Sequence, residues 1–178
     1  MIVLIIGPMF SGKSTYILNE ERKAIISKKK SICVKHSIDT RYSNDSNIIN
    51  HNKQISISTS IASGTLKNIL KVLLEYDVIL IDEGQFFNDL VEIVQILDKH
   101  DKNIFISGLS SDFKKEAFTS ISELIPKADK IIHMTSICTI CSSDASFTTR
   151  LISNLTSNTQ TLIGGVELYE PRCRKCFV

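Results

Sequence analysis

Short apolar runs alternate with amphipathic segments along this chain. Five runs of strand length are apolar nearly throughout, which is typical of a sheet covered on both faces: 2–6, 31–35, 78–82, 103–107 and 130–134. Helices are predicted at 13–29, 66–75 and 86–99, and alternating Ile and Ser at 54–58 indicate a hairpin or an edge strand. The order of these elements predicts an α/β fold with a doubly wound, mostly parallel sheet.

The length and composition restrict the chain to one substantial core. With 178 residues, 43% of them hydrophobic, it can bury one large core and carry a small appendage, which places domains at 1–135 and 136–178. The net charge is only +2, and no aromatic residues are interleaved with the basic run 28–30, so a nucleic-acid partner is not expected. Neither a targeting segment nor a membrane span is visible, so we expect a soluble cytoplasmic protein.

Residues 7–14 read Gly-Pro-Met-Phe-Ser-Gly-Lys-Ser and follow the first predicted strand. They match the phosphate-binding motif G-x-x-x-x-G-K-[ST] in full. The glycines let the backbone curve around an anion, and the next helix offers its positive N-terminal end. We expect Lys13 to reach the β- and γ-phosphates, and Ser14, or Thr15 beside it, to supply a hydroxyl for Mg²⁺. The motif therefore predicts nucleotide binding.

A second candidate site is the apolar run 78–81, which ends in Asp82 and Glu83. At the sheet edge where the phosphates are expected, Asp82 would hold Mg²⁺ and Glu83 would act on a nucleophile. A carboxylate there can accept a proton from water, giving hydrolysis, or from a substrate hydroxyl, giving transfer. The residues alone leave both reactions open.

Four of the five cysteines form two Cys-x-x-Cys pairs, Cys138 with Cys141 and Cys173 with Cys176. Each pair can present two sulfurs to one metal ion, so together they predict a structural Zn²⁺ site. The long segment between the pairs is then a loop with its base fixed by the metal. The fifth, Cys33, lies in an apolar run and is interpreted as a buried small hydrophobe.

Several segments together resemble the zinc-containing cytosolic thymidine kinases of vertebrates, many bacteria and poxviruses. They are the phosphate loop, Asp-Glu-Gly-Gln-Phe-Phe at 82–87, Lys35 with Asp-Thr-Arg-Tyr at 39–42, Ile-Gly-Gly at 163–165, and the two cysteine pairs. The match is collinear over nearly the whole chain, and the short C-terminal end resembles the compact viral members. The resemblance implies a P-loop α/β domain with a small zinc-anchored lasso domain, a homotetramer, thymidine and ATP as substrates, and feedback inhibition by thymidine triphosphate.

The resemblance also implies roles for individual residues. Glu83 would be the general base for the 5′-hydroxyl of thymidine, with Arg41 and Lys13 as the other catalytic residues. The nucleotide side would comprise Gly7, Met9, Ser11, Gly12, Lys13, Ser14, Asp39, Asp82 and Gln85. The nucleoside side would comprise Met9, Leu109, Phe113, Phe118, Thr148, Arg150, Leu162, Gly164 and Tyr169.

This chain departs from the family pattern at Ser110, Ser111 and Asp112, where some members carry Asp-Gly-Thr, and at Gln160, where an apolar residue is common. The resulting hypothesis is ATP-dependent phosphorylation of thymidine, and of deoxyuridine, at the 5′-oxygen with Mg²⁺ and a structural zinc. Two alternatives are a P-loop ATPase in which Glu83 activates water, and a zinc-ribbon binding module that uses nucleotide as a switch.

Overall fold

The computed structural model describes residues 1–39, 47–48, 54–151 and 167–177. Within these ranges a six-stranded sheet forms in the order β3-β2-β4-β5-β1-β6, and every neighbouring pair is parallel. Its strands are β1 (Ile2–Ile6), β2 (Ser31–His36), β3 (Thr59–Ser63), β4 (Val78–Asp82), β5 (Asn103–Gly108) and β6 (Lys130–His133). The five predicted strands are therefore confirmed to within a residue at each end, as is the α/β class.

The helices on the sheet are α1 (Lys13–Ile26), α2 (Leu70–Leu73), α3 (Leu90–Lys99) and α4 (Thr119–Ser122). Short 3₁₀ turns occur at Lys67–Ile69, Gly84–Phe86 and Ile125–Lys127. The helix predicted at 66–75 is thus split into a turn and one α-helical turn, and the helix predicted from Phe86 begins at Leu90. The hydrophobic periodicity correctly predicted which residues face the core. It could not show these breaks, because they depend on the backbone hydrogen bonds.

The core lies on both faces of the sheet, as the apolar strands predicted. Alternate strand residues pack on one side with the apolar face of α3, including Leu90, Ile93, Val94 and Leu97. The intervening residues pack on the other side with Ile17 and Leu18 of α1. Because successive strand residues point to opposite faces, an apolar strand in the middle of such a sheet supplies both layers.

Edge strand β3 begins directly after the segment 54–58, whose alternation suggested a strand. In that segment, the backbone N–H groups of Ile57 and Ser58 donate to the Glu21 carboxylate of α1, at 2.8 and 2.6 Å. Glu21 is 1% exposed and also lies 3.5 Å from the Cys33 thiol, which is fully buried as expected. The segment therefore bonds to a helix side chain before the chain enters the sheet.

The C-terminal part forms two small antiparallel sheets. One pairs β7 (Ser136–Ile137) with β8 (Asp144–Ala145), and the other pairs β9 (Phe147–Arg150) with β10 (Tyr169–Arg172). They follow directly on β6, so the division predicted at residue 135 falls where the parallel sheet has ended, and it stays a prediction. Among the described residues, no helix combines the length and apolar character needed to cross a bilayer.

Candidate active site

The parallel sheet brings four connecting loops to one edge. The loops after β1, β2, β4 and β5 all begin at the carboxyl ends of their strands, and ligands of open α/β sheets bind at this edge. They carry the phosphate loop, Asp39, the Asp82–Glu83 pair and Leu109. Residues far apart in sequence therefore meet at one edge, as the strand pattern predicted.

The phosphate loop adopts a tight curve that excludes side chains at its glycines. A Cβ on Gly7 would lie 2.4 Å from the carbonyl oxygen of Met134, and Gly12 has a φ of 87° immediately before α1. Lys13 is buried, and its Nζ donates to the carbonyl of Pro8 at 2.6 Å, as does Ser11 Oγ at 2.8 Å. Ser14 lies in the first turn of α1. The curve and the helix N-terminus fit a nucleotide phosphate chain.

Two hydroxyl groups of the C-terminal part form hydrogen bonds with the backbone of the phosphate loop. The N–H of Met9 donates to Thr148 Oγ1 of β9 at 3.0 Å, and Ser136 Oγ of β7 donates to the carbonyl of Phe10 at 3.1 Å. Thr148 is 5% exposed, so its bond is shielded from water. The resemblance implied a nucleoside contact for Thr148, and the structure gives its hydroxyl a bond to the phosphate-loop backbone.

Asp82 and Glu83 leave β4 in different directions. Asp82 accepts a hydrogen bond at Oδ1 from Ser107 Oγ of the neighbouring strand β5. Glu83 has a φ of 53°, a left-handed conformation that few residues other than glycine adopt, and its N–H points to Ser107 Oγ at 3.4 Å. Both carboxyl groups are largely buried. The two carboxylates have different hydrogen-bond partners, Ser107 for Asp82 and Gln85 for Glu83, so they can serve different roles.

Gln85 links Glu83 to the loop after β5. Its Nε2 donates to Glu83 Oε2 at 2.5 Å, and its Oε1 accepts the N–H of Leu109 at 3.1 Å. Gln85 is 7% exposed. Both ends of one amide are used, which fixes the carboxylate relative to the backbone of Leu109. The resemblance implied a nucleotide contact for Gln85, and within the structure it orients Glu83.

Three residues of the expected nucleoside side meet around one guanidinium. The Arg150 guanidinium carbon lies 3.8 Å from the centre of the Phe113 ring, and its Nη2 donates to the Tyr169 hydroxyl at 3.2 Å. A guanidinium stacked on an aromatic ring is a favourable cation–π contact. The loop after β5 is thereby joined to β9 and β10, and the expected pocket residues share one wall.

Other expected site residues lie elsewhere or outside the described ranges. Phe118 is 6% exposed and belongs to the main core, and Leu109 packs against the same core. Asp39 is buried in a turn where its N–H donates to the carbonyl of His36 at 2.9 Å. Three expected residues fall in segments that the structure does not describe: Arg41, Leu162 and Gly164.

The four paired cysteines converge on one point. The sulfur atoms of Cys138, Cys141, Cys173 and Cys176 all lie within 4.8 Å of one another, and those of Cys141 and Cys173 are 3.6 Å apart. Four sulfurs at this spacing are the donor set of a structural zinc site. The predicted grouping is confirmed, and these residues could hold Zn²⁺.

The pKa values of the cysteine thiols are also consistent with a bound cation. The backbone N–H of Cys173, with further backbone groups of residues 140 and 141, lowers the pKa of the Cys138 thiol to about 6. The neighbouring sulfurs of Cys141 and Cys173 raise the pKa of Cys176 to about 12. Hydrogen bonds from Ser143 also lower the pKa of Cys141. The chain thus favours thiolates at Cys138 and Cys141 and opposes one at Cys176, and a divalent cation would neutralise the full set of negative sulfurs.

Sequence reasoning did not find Ser107, the bridging role of Gln85 or the bond between Met9 and Thr148. The sequence held one indication of Ser107. It is a hydroxyl residue near the end of an apolar strand, β5, and β5 pairs with the strand that ends in Asp82. Gln85 reaches Leu109, 24 residues later in the chain, and Met9 reaches Thr148, 139 residues later, so no local pattern marks either contact.

Comparison with known proteins agrees with this geometry. The model of the family described as "Thymidine kinase" matches residues 1–177. The chain is 42% identical to the thymidine kinase of Amsacta moorei entomopoxvirus, covering 99% of this chain and 97% of that protein. It is 37% identical to that of Raccoon poxvirus, covering 99% and 96%, and 35% identical to thymidine kinase 1 of Dictyostelium discoideum, covering 99% and 77%. With its phosphate loop, paired carboxylates and four-cysteine cluster, this chain belongs to the thymidine kinase family.

Proposed function

We propose that this protein transfers the γ-phosphoryl group of ATP to the 5′-hydroxyl of thymidine, and of deoxyuridine. The observation that carries the proposal is the placement of Glu83, held by Gln85 at the sheet edge that also bears the phosphate loop. A buried carboxylate in a fixed orientation suits a general base. Family membership supports thymidine as the acceptor.

In the proposed reaction, the 5′-oxygen forms a bond to the γ-phosphorus while the bond from that phosphorus to the β,γ-bridging oxygen breaks. The proton of the 5′-hydroxyl passes to Glu83, and ADP leaves. Lys13 at the start of α1 would neutralise charge on the phosphates, as would Arg41 by family resemblance. The chain's own contribution is therefore positioning, proton acceptance and charge neutralisation.

The oxygen donors near the phosphate loop fit Mg²⁺. Asp82 offers a carboxylate and Ser14 a hydroxyl, which are the ligands that a hard cation prefers. When bound, Mg²⁺ would offset the negative charge that develops on the phosphates during transfer. Ser107 Oγ donates a hydrogen bond to Asp82 and so fixes the orientation of this carboxylate, the expected metal ligand.

The wall formed by Phe113, Arg150 and Tyr169 supports a nucleoside pocket that includes the loop after β5. We propose that it accepts thymine and uracil and rejects cytosine, because a site with fixed donors and acceptors leaves groups unpaired when the base edge is wrong. From family resemblance we also propose a homotetramer that is inhibited by thymidine triphosphate, and a zinc ion in the four-cysteine cluster.

The test is ATP consumption by the purified protein with Mg²⁺, measured without nucleoside and with each of thymidine, deoxyuridine, deoxycytidine, deoxyadenosine and deoxyguanosine. We expect turnover only with the first two. ATP consumption that is equally fast without nucleoside would establish the ATPase alternative. Comparable turnover of deoxycytidine and thymidine would contradict the proposed specificity.

A further inference from the structure

We propose that the neutral imidazole of His36 is a positioning group that fixes the segment carrying Asp39 at the active-site edge. His36 is the last residue of β2, and the chain turns immediately after it, with the Asp39 N–H bonded to the His36 carbonyl. The inference rests on the proposed function, because it assigns this turn to the phosphoryl-transfer site. It concerns a side chain for which neither the motifs nor the family comparison gives a role.

The two ring nitrogens of His36 make different hydrogen bonds, and these determine the tautomer. The backbone N–H of Ile38 lies 3.1 Å from Nδ1, and the carbonyl oxygen of Gly64 lies 3.0 Å from Nε2. A backbone N–H can only donate and a carbonyl can only accept, so Nδ1 must be the acceptor and Nε2 must carry the hydrogen. An imidazolium would place a hydrogen on Nδ1, facing the donor of Ile38, and would lose that bond.

Burial favours the neutral ring. It lowers the pKa of His36 below the ordinary value, against the opposing effects of the Gly64 carbonyl and of the Asp89 and Asp39 carboxylates. Asp89 precedes α3, where its carboxylate accepts the N–H groups of Leu66 and Lys67. The Asp89 carboxylate is thus already committed to backbone contacts.

The ring also contacts the segment that follows the general base. Its centroid lies 4.7 Å from that of Phe87, edge to face, and 5.9 Å from that of Phe86. Phe87 is fully buried, and both rings follow Gln85 directly in the chain. His36 therefore joins three segments, namely the turn to Asp39, the end of β3 at Gly64, and the turn after Glu83. We infer that it holds the Asp39 turn in register with the general base.

Two substitutions separate the hydrogen bond from the ring contact. In His36→Asn the amide oxygen can take the place of Nδ1 and accept the N–H of Ile38, whereas His36→Phe keeps an aromatic ring but removes both bonds. His100→Phe, at the exposed end of α3, is the matched control. For each protein we would measure kcat, KM for thymidine, the thermal midpoint, and the hydrogen-exchange rate of the Ile38 amide.

We expect His36→Phe to lower kcat about five- to tenfold, because its two neutral hydrogen bonds are lost, with little change in KM for thymidine. The Ile38 amide should exchange at least about tenfold faster, while His36→Asn should recover most of both properties and His100→Phe should resemble wild type. Imidazole nitrogen NMR of the wild-type protein at pH 7 should show the Nε2–H tautomer.

An Nδ1–H tautomer or an imidazolium at pH 7, or unchanged kcat and exchange in His36→Phe, would overturn the inference. The exchange and NMR measurements need no enzymatic activity. If the wild-type protein consumed no ATP with thymidine, the proposed function would fail, while these two measurements would still decide whether His36 fixes the turn.

Discussion

Glu83 occupies a backbone conformation that favours glycine, and its neighbours hold it there. The residue has a left-handed φ, and its carboxylate accepts a hydrogen bond from Gln85. Strain of this kind persists where the surroundings determine it, and it concentrates at functional sites. A glutamate was identifiable here from the sequence because it follows an apolar strand, but its conformation and its partner were not, since both depend on residues in β5 and the turn after β4.

Glu83→Gln should abolish proton acceptance while preserving the fold, because the amide is nearly isosteric with the carboxylate. Phosphoryl transfer should fall by roughly 10²- to 10⁴-fold, the usual contribution of a positioned general base, and ATP affinity should change little. Asp82→Asn should instead weaken both Mg²⁺ dependence and nucleotide binding, since a neutral ligand holds a hard cation less well. Turnover and nucleotide affinity of both variants distinguish the roles, and more than about a tenth of wild-type turnover in Glu83→Gln would refute the assignment.

Gln85→Met should impair transfer without removing the base itself. The thioether fills a similar volume but cannot donate to Glu83 or accept from Leu109, so the carboxylate loses its fixed orientation. We expect kcat to fall about tenfold and ATP affinity to stay near wild type, as for the loss of a hydrogen bond to a charged group. Gln95→Met, on the exposed face of α3, is the control. Equal kcat for the two variants would show that Gln85 does not position Glu83.

Elements that carry motifs or apolar runs could be predicted from the sequence, and those defined by distant contacts could not. The central strands and the phosphate loop are encoded locally, by apolar residues and by glycines at fixed spacing. Strand β3 begins after the predicted segment because the Glu21 carboxylate, on α1, accepts hydrogen bonds from the N–H groups of Ile57 and Ser58. The split helix near Leu66 likewise reflects Asp89, which binds backbone groups at its start.

Gly7→Ala should destabilise the junction of β1, the phosphate loop and β6. The added methyl would lie 2.4 Å from the carbonyl oxygen of Met134, so the backbone at one of these elements must move. We expect a loss of about 1–3 kcal/mol in unfolding free energy and weaker ATP binding. Gly64→Ala is the matched control, because its methyl would meet only Ser37 Oγ at 3.5 Å. Chemical denaturation of both proteins gives the comparison, and equal stability would contradict the close approach at Gly7.

Cys138→Ser should remove the metal from the small C-terminal sheets. A hydroxyl is a poor replacement for a thiolate, so we expect less than half an equivalent of zinc per chain and a lower thermal midpoint. Cys33→Ser, outside the cluster, should retain one equivalent. Metal analysis of the purified proteins is the measurement. A wild-type protein that is fully active with less than half an equivalent would exclude a structural zinc.

The molecule joins its two parts directly at the nucleotide site. Thr148 and Ser136, which flank the first cysteine pair along the chain, both bond to the backbone of the phosphate loop. Cation–π contacts add a second connection, since Lys115 Nζ lies 3.8 Å from the Phe177 ring centre and 4.6 Å from that of Phe147. A change at the cysteine cluster can therefore reach the backbone of the phosphate loop.

Chelation of zinc should accordingly weaken ATP binding as well as nucleoside binding. Once the small sheets loosen, the Met9 N–H and the Phe10 carbonyl lose their partners, and we expect a severalfold rise in the dissociation constant for ATP. Calorimetric titration before chelation, after it, and after zinc is restored is the measurement. Thr148→Val, which keeps the shape of the side chain but removes the acceptor, should reproduce the change without chelation. Unchanged ATP affinity in both cases would show that the two parts act independently.

The bridge from Gln85 to Glu83 also bears on what happens to ATP in the absence of an acceptor. A carboxylate beside bound ATP is able to activate solvent, and such futile hydrolysis would drain the nucleotide pool of a cell. Glu83 is 7% exposed, and its Oε2 already accepts a hydrogen from the Gln85 amide. Water must therefore compete with the Gln85 amide for that oxygen, whereas a 5′-hydroxyl delivered by a bound sugar would arrive already oriented. For the base proposed above, the contact that orients it for synthesis would also limit its activation of solvent.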